Sequence, residues 1–478
     1  MLETQPREVL PFYDELYDPT GTPRPHYAAV AATLKRLGRE DILARVAAIN
    51  TALLQRGVTF TVYADSAGTE RVFPFDIIPR IITSTEWSQV QRGIAQRVRA
   101  INAFIYDVYH SERILREGRI PRELVYSSKN YNREMIDVDV ARDVYIHVSG
   151  TDLIRDEMGE FLVLEDNCRT PSGISYVLEN RDVLKRAFPD LFREYAVDPV
   201  DDYPARLLDV LRYAAPRGAT QPVVVVLTPG IYNSAYFEHA LLARRMGVEL
   251  VEGRDLVVVD NIVYVKTTRG LERVDVIYRR IDDDYLDPLY FMPDSTLGVT
   301  GLMNAYRAGN VSLANAIGSG VGDDKAVYRY VPEMIRFYLD EEPLLSNVPT
   351  YDCTDAAQRQ HVLANLDKLV VKNTNASGGY GMLMGPFAST AEREAFRDLI
   401  EANPRDFIAQ PVINISASPT LIDGELASRH VDLRPFALYG RGVDVPPAAL
   451  TRVALREGSL VVNSSQGGGS KDTWVLQG

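Results

Sequence analysis

An α/β fold is predicted by three features of this 478-residue sequence. The first is Val223-Val-Val-Val-Leu227, a short and fully apolar run of the kind a buried parallel strand requires. The second lies just downstream. Ser234–Met246 has helical spacing and Val248–Val251 reads as the next strand, which together make a βαβ unit. The third is a pair of strands that end in polar groups. Phe161-Leu-Val-Leu runs into Glu165-Asp166-Asn167, and Leu369-Val-Val runs into Lys372 ahead of a glycine-rich turn. The length supports a large core and two to four domains.

In chain order, a Pro/Tyr-rich start leads into a helical stretch from Ala28 to Arg56. Residues 86–117 carry Trp87, Val90, Ile94, Val98, Ile101 and Ile105 as one apolar stripe, so this helix faces a core. Residues 140–167 hold a strand pair, Pro171-Ser-Gly173 is a turn, and a short helix runs through Ser175–Lys185. After the βαβ unit, Leu256–Lys266 is a hairpin turning at Asp260-Asn261. Val274–Tyr278 is another strand, and it delivers Arg279, Arg280 and Asp282–Asp284 to its C-terminal end, where ligands of open α/β sheets bind. The unit lacks G-x-G-x-x-G, so it carries no dinucleotide fingerprint. Phe407–Ile413 and Val431–Arg434 are later strands.

Composition narrows the function. A net charge of −13 argues against wrapping nucleic acid or coating an anionic membrane. No apolar run reaches the roughly 20 residues of a membrane span. The opening residues lack the pattern of a secretory leader. Cys168 and Cys353 are too few for a disulfide framework and fit a reducing cytoplasm, which is the expected location. The six histidines show no zinc spacing.

Two constellations carry chemistry. On the strand ending at Asn167, Glu165 and Asn167 share one face, and Asp166 points to the other. Asp152 returns beside them if its strand and this one form a hairpin about Gly159. Three oxygen donors on a rigid hairpin suit Mg²⁺; the competing reading is a solvated strand end. In the second constellation, Lys372 precedes Ser377, Gly378, Gly379, Tyr380 and Gly381. Glycines let backbone N–H groups approach phosphate, and the lysine adds a compact positive charge. The order is not that of a Walker A loop, and a plain glycine-rich hairpin is the competing reading. Gln410 interrupts the apolar run Phe407–Ile413, a linker whose backbone amides could meet an adenine edge.

These residues resemble the ATP-grasp enzymes. Lys372 with Ser377–Gly381 resembles their nucleotide-covering hairpin, and Asp152 with Glu165-Asp-Asn167 resembles their magnesium strands. Here the acidic strands precede the lysine loop by about 200 residues, whereas in the ordinary order they come after it. That inversion resembles the circularly permuted type 2 group, whose characterised relatives include glutathionylspermidine synthase. The match extends through Arg169-Thr-Pro-Ser-Gly173, Leu227-Thr-Pro-Gly230, Tyr236-Phe-Glu-His239, Tyr278–Asp284, Asp323-Asp-Lys325, Arg429–Phe436 and Asn463–Gly469. It departs at Ala448-Ala449, where the group's pattern carries glycines.

The resemblance implies a circularly permuted ATP-grasp fold with a Rossmann-like pre-ATP-grasp domain and an N-terminal helical region. The expected division is 1–135 (mostly helical), 136–205 (permuted core with the metal strands), 206–320 (pre-ATP-grasp), 321–410 (nucleotide cover) and 411–478 (remaining core). It implies ATP and Mg²⁺ as cofactors and a carboxylate–amine ligase acting through an acylphosphate. The alternatives are a phosphotransferase and a non-catalytic nucleotide-binding protein. Lys325 and Lys372 would hold phosphates. Arg434 would stabilise the transferring phosphoryl group, or else pair with an acid such as Asp432. Arg169 and Ser172 would meet the acceptor carboxylate, or else serve turn geometry. Asn233, Arg280 and Asp282 would bind substrate, with an internal salt-bridge network as the alternative for Arg280 and Asp282. Gln466–Ser470 is a second cover or a loop. The expected partners are small-molecule or peptide acids and amines; a protein partner stays open.

Overall fold

The computed structural model describes residues 11–61, 70–216, 218–374, 381–462 and 468–478. A nine-stranded sheet forms the centre. Along it lie Ser346–Asn347, Phe161–Asn167, Val148–Arg155, Glu425–Tyr439, Ala449–Val453, Gly469–Val475 and Phe75–Ile82, with Ala417–Ile422 and Val443–Asp444 attached to Glu425–Tyr439. Strands near residue 150 thus pair with strands beyond residue 425, and the sheet closes across the length of the chain. The acidic hairpin forms as the alternation predicts, with Asp152 directly opposite Glu165 and Gly150 opposite Asn167.

Helix Ser84–Tyr109 covers one face of this sheet with the expected stripe, and Trp87, Val90, Ile94, Val98 and Ile101 are all buried. Thr83 and Glu86 start it with a reciprocal capping box. It ends earlier than the helical pattern of residues 86–117 suggests. Glu112 has a left-handed φ of 51°, and the Asp107 carboxylate accepts the backbone N–H groups of Arg113 and Ile114, which starts a new short helix, Arg113–Arg116. The same long helix buries Arg97 against Asp166 at 2.5 Å. Asp166 therefore faces the core, opposite Glu165, as strand alternation requires.

The N-terminal region is less helical than its sequence suggests. Phe75–Ile82 is an edge strand running parallel to Gly469–Val475, and its Ile77, Ile78, Ile81 and Ile82 are buried. A run of β-branched residues favours the pleated, half-buried surface over a helix.

The βαβ unit belongs to a second, fully parallel sheet. Its order is Ser312–Ala314, Val276–Arg279, Val224–Leu227, Glu249–Val251. From Val224–Leu227 the chain crosses to one side, and from Val276–Arg279 to the other, so the sheet has its switch point between these two strands. The hairpin after it turns through Asp260 and Asn261, both with positive φ (50° and 59°), as a two-residue hairpin turn requires.

A third unit is antiparallel, in the order Tyr351–Asp352, Phe407–Pro411, Leu369–Asn373, Met382–Met384. Helices Ala356–Ala364 and Thr390–Ala402 accompany it, and it has a core of its own around Cys353, Val362, Val371, Leu383 and Ile400. Arg405 ties this unit to the body. It donates to Asp324 at 2.6 Å, to the Leu124 carbonyl at 2.8 Å and to Ser127 Oγ at 2.9 Å. Asp324 is fully buried and caps the short helix Lys325–Tyr328. Arg405→Met strands that buried carboxylate, a change worth about 3–5 kcal/mol when a buried pair loses one partner. Amide exchange in Lys325–Tyr328 is expected to accelerate by roughly 10-fold or more, because local opening free energy sets protection. Unchanged exchange would show that the pair does not hold the unit down.

Candidate functional site

A cleft opens between the antiparallel unit and the central sheet. It encloses about 970 Å³ when the solvent in its open mouth is included. One end is apolar, walled by Val370, Met382 and Met384 from the antiparallel unit and by Ile154, Leu164 and Val462 from the body. The other end is charged and holds Asp152, Glu165, Lys325, Lys372, Asp432 and Arg452. The segment Gln410–Ile413 joins the two units along the apolar part.

Strand register explains why these side chains meet. Lys372 pairs with Met382 and Val370 with Met384, so all four line one face of the hairpin. Val371, between them, points into that unit's core. Burial pushes the Lys372 ammonium down to about 8, with Glu165 opposing the shift and Lys325 adding to it. Lys325 opens its short helix and places Nζ 3.3 Å from Glu165 Oε2. Asn167 donates from Nδ2 to the Gly150 carbonyl at 3.1 Å, which orients its amide. Glycine suits position 150, because a Cβ there would lie a tight 3.2 Å from Pro171 Cβ and 3.4 Å from Arg434 Cδ.

Asp152 is the most constrained member. Arg434 grips both its oxygens, with Nη2 at 2.8 Å from Oδ2, and Arg452 Nη2 lies 2.6 Å from the same Oδ2. Burial raises its proton affinity, but the two guanidinium groups outweigh burial and hold the carboxyl well below the ordinary range. Asp432 in turn holds Arg452, with Nε 3.0 Å from each carboxylate oxygen. Arg434 therefore pairs with Asp152 rather than with its neighbour Asp432.

Beside the charged end lies a second cluster. Arg169 Nε is 3.5 Å from Asp282 and 3.7 Å from Asp323, and Nη1 is 3.4 Å from Asn130 Oδ1. Burial raises Asp323 to about 6, against the opposing charge of Arg169 and a hydrogen bond from the Cys168 N–H. Arg169, Asp282 and Ser172 thus border the charged end, and the Ser172 carbonyl accepts from Arg434 at 3.3 Å.

Two expected substrate residues are placed elsewhere. Arg280 is buried, donating to Glu238 at 3.1 Å and to the Pro171 carbonyl at 2.8 Å. Glu238 also accepts the N–H groups of Gly173 and Ser175. Together they brace the turn that carries Arg169 and Ser172. Asn233 uses Oδ1 to accept the Ala235 N–H at the start of helix Tyr236–Met246, away from the cleft lining. His239 bonds Thr228 Oγ1 at 2.9 Å, and burial keeps it neutral. The Gln410 amide is buried against Thr350 Oγ1 at 3.0 Å, which leaves recognition along that segment to its backbone. Ser377, Gly378, Gly379 and Tyr380 lie outside the described residues, as does Gln466; Gly381 has a φ of 66° at the turn into Met382–Met384.

Sequence reasoning did not place Asp432, Arg452 or Asp323 in the site. The signal for the first two was present. Val431-Asp-Leu-Arg434 alternates apolar with charged residues, and Arg452 lies directly opposite Asp432 on the neighbouring strand. Charges on one face of a mid-sheet strand need partners there.

The family model described as circularly permuted ATP-grasp type 2 matches residues 79–454. An uncharacterized protein of Synechocystis sp. is 56% identical over 468 residues, covering 98% of this chain and 97% of its own length. An uncharacterized protein of Mycobacterium tuberculosis is 54% identical, over 97% of this chain and 84% of its own. A Frankia alni protein with the provisional name glutamate–cysteine ligase 2-3 is 47% identical over 97% of this chain, but the chain spans only 54% of that protein. Among solved structures, a glutathione synthetase-like effector from Globodera pallida, in its apo form, superposes with a TM-score of 0.57 at 10% identity, covering 92% of this chain and 98% of that one. That likeness is one of fold.

Proposed function

The chain belongs to the circularly permuted ATP-grasp type 2 family, and from that premise we propose that it is a Mg²⁺- and ATP-dependent ligase joining a carboxylate to an amine. The observation that carries this reading is the convergence of Lys325, Lys372, Glu165 and Asp152 at the charged end of an apolar-walled cleft. In this reading an adenine ring lies against the apolar walls and the polyphosphate reaches the charged end. The name of the Frankia protein supports ligase chemistry in general. About half of that protein lies beyond the match, so its substrates are not carried over.

The donor types suit Mg²⁺, with both oxygens of Asp152 held by Arg434 and Arg452 in this structure. Asp152, Glu165 and Asn167 offer hard oxygen donors on one face of a hairpin. Among the described residues no group of three or more His, Cys, Asp or Glu could hold a metal alone. Mg²⁺ commonly takes one or two carboxylates and completes its shell with phosphate oxygens and water. When bound, Mg²⁺ neutralises phosphate charge and aligns the γ-phosphorus.

The chain's own residues do the rest. Lys325 and Lys372 bind phosphate oxygens and offset the negative charge that resists an anionic attacker. Arg169, with Ser172 on the same turn, orients the acceptor acid. Its carboxylate oxygen bonds to the γ-phosphorus as the bond to ADP breaks, giving an acylphosphate. The amine nitrogen then bonds to the acyl carbon, phosphate leaves and the amine gives up a proton. The antiparallel unit shields the acylphosphate from water during this interval.

The test is ATP turnover with Mg²⁺ against pooled amino acids, small peptides and polyamines, with ADP and free phosphate read together. Release of both that requires an acid and an amine is the expected result. ADP accompanied by a stable phosphorylated acceptor would make the protein a phosphotransferase. Tight Mg·ATP binding with no turnover in any pool would favour a nucleotide-binding role without catalysis.

A further inference from the structure

We propose that Arg434 gates metal entry: its guanidinium occupies Asp152 until nucleotide phosphate draws it away, so that the divalent ion enters with the nucleotide and not before it. The inference rests on the ATP and Mg²⁺ reading above and concerns the order in which that site is filled. Both oxygens of Asp152 already accept charged hydrogen bonds, from Arg434 on Oδ1 and from Arg434 and Arg452 on Oδ2. An ion seeking this carboxylate has to displace a guanidinium.

The two arginines are not equally displaceable. Arg452 is locked from behind, because its Nε lies 3.0 Å from both oxygens of the fully buried Asp432. Arg434 has no such anchor. Besides Asp152, its hydrogen bond among the described residues is a 3.3 Å contact with the Ser172 carbonyl. It also borders the turn that carries Arg169, toward the acceptor side.

Charge counting points the same way. Lys325, Lys372, Arg434 and Arg452 gather four cationic groups that a polyphosphate can engage, while a bare dication finds both oxygens of Asp152 already held by guanidinium groups. A guanidinium exchanges a carboxylate for phosphate without losing charge pairing, since both match its planar fork. The exchange frees Oδ1 of Asp152, while Arg452 keeps Oδ2, as phosphate oxygens arrive to complete the metal shell. By linkage, nucleotide and metal then raise each other's affinity by the same factor.

The probe is Mn²⁺, followed by the paramagnetic signal of the free ion, on the full chain with and without a non-hydrolysable ATP analogue. Wild type is expected to bind Mn²⁺ weakly alone and more tightly once the analogue is present. Arg434→Met is expected to bind Mn²⁺ alone about 10-fold tighter than wild type, and to gain correspondingly less from the analogue. Arg434→Lys keeps the charge but loses the fork, and is expected to shift the same way by less. If Arg434→Met binds Mn²⁺ alone no better than wild type, the gate is overturned while the nucleotide reading stands. If Arg434→Met does not fold, an Arg434→Lys protein with no gain overturns the gate equally. Wild type that binds no Mn²⁺ even with the analogue would overturn both.

Discussion

Glu165→Ala is expected to lower ATP turnover on the order of 10³-fold or more while the protein keeps its fold. Glu165 sits at the end of a strand, and its side chain is 24% exposed. Its charge partner is Lys325 at 3.3 Å, reaching from another element. Removing a partly exposed pair of this kind costs about 1 kcal/mol or less, so the melting temperature should barely move. The corresponding change at Asp152 would not give a clean test. Asp152 is buried between Arg434 and Arg452, and losing it leaves Arg434 without its carboxylate while Arg452 keeps Asp432, at a cost of about 3–5 kcal/mol. Turnover assays paired with thermal unfolding check the expectation. A Glu165→Ala protein that turns over ATP normally would remove this residue from the metal site.

Lys372→Met separates binding from stability with opposite signs. Loss of a charged phosphate contact is worth about 1.5–3 kcal/mol, so nucleotide affinity should fall roughly 10- to 100-fold. Stability should move the other way. Burial holds the folded-state Lys372 at about 8, against an ordinary value of 10.5. Between those values the unfolded chain binds more protons, so wild-type stability rises with pH across that window. Below about pH 8 the cost of keeping the half-buried ammonium charged is present, and Lys372→Met is expected to unfold at a higher temperature than wild type. The difference should shrink as pH rises from about 8 toward 10.5. The same titration governs binding. Wild-type nucleotide affinity should decline above about pH 8, and the variant should lose that dependence. Calorimetric binding and melting curves at pH 7 and pH 9.5 test both signs. Unchanged affinity in the variant would assign the phosphate contact to Lys325.

The sequence by itself determined what depends on local pattern. Period-two alternation put Glu165 and Asn167 on one face and Asp166 on the other, and the structure pairs Asp166 with Arg97 in the core. The apolar run at Val223–Leu227 became a buried parallel strand, and Asp260-Asn261 formed the tight hairpin turn. The order of the acidic strands and the lysine loop was enough to identify the permuted arrangement. Each of these signals lies within a few residues, or in the order of motifs along the chain.

Tertiary structure alone decided which charges meet. Arg434 and Asp152 are 282 positions apart, and Arg452 and Asp152 are 300 apart. Their pairing depends on Glu425–Tyr439 lying between Val148–Arg155 and Ala449–Val453. The same holds for Arg280, which follows the strand Val276–Arg279 and is buried in a pair with Glu238. A buried charge takes the partner that packing brings within reach, since leaving it unpaired costs more than any local preference supplies. Local pattern therefore fixed which residues are polar on which face, and the packing of distant strands fixed the partner of each one.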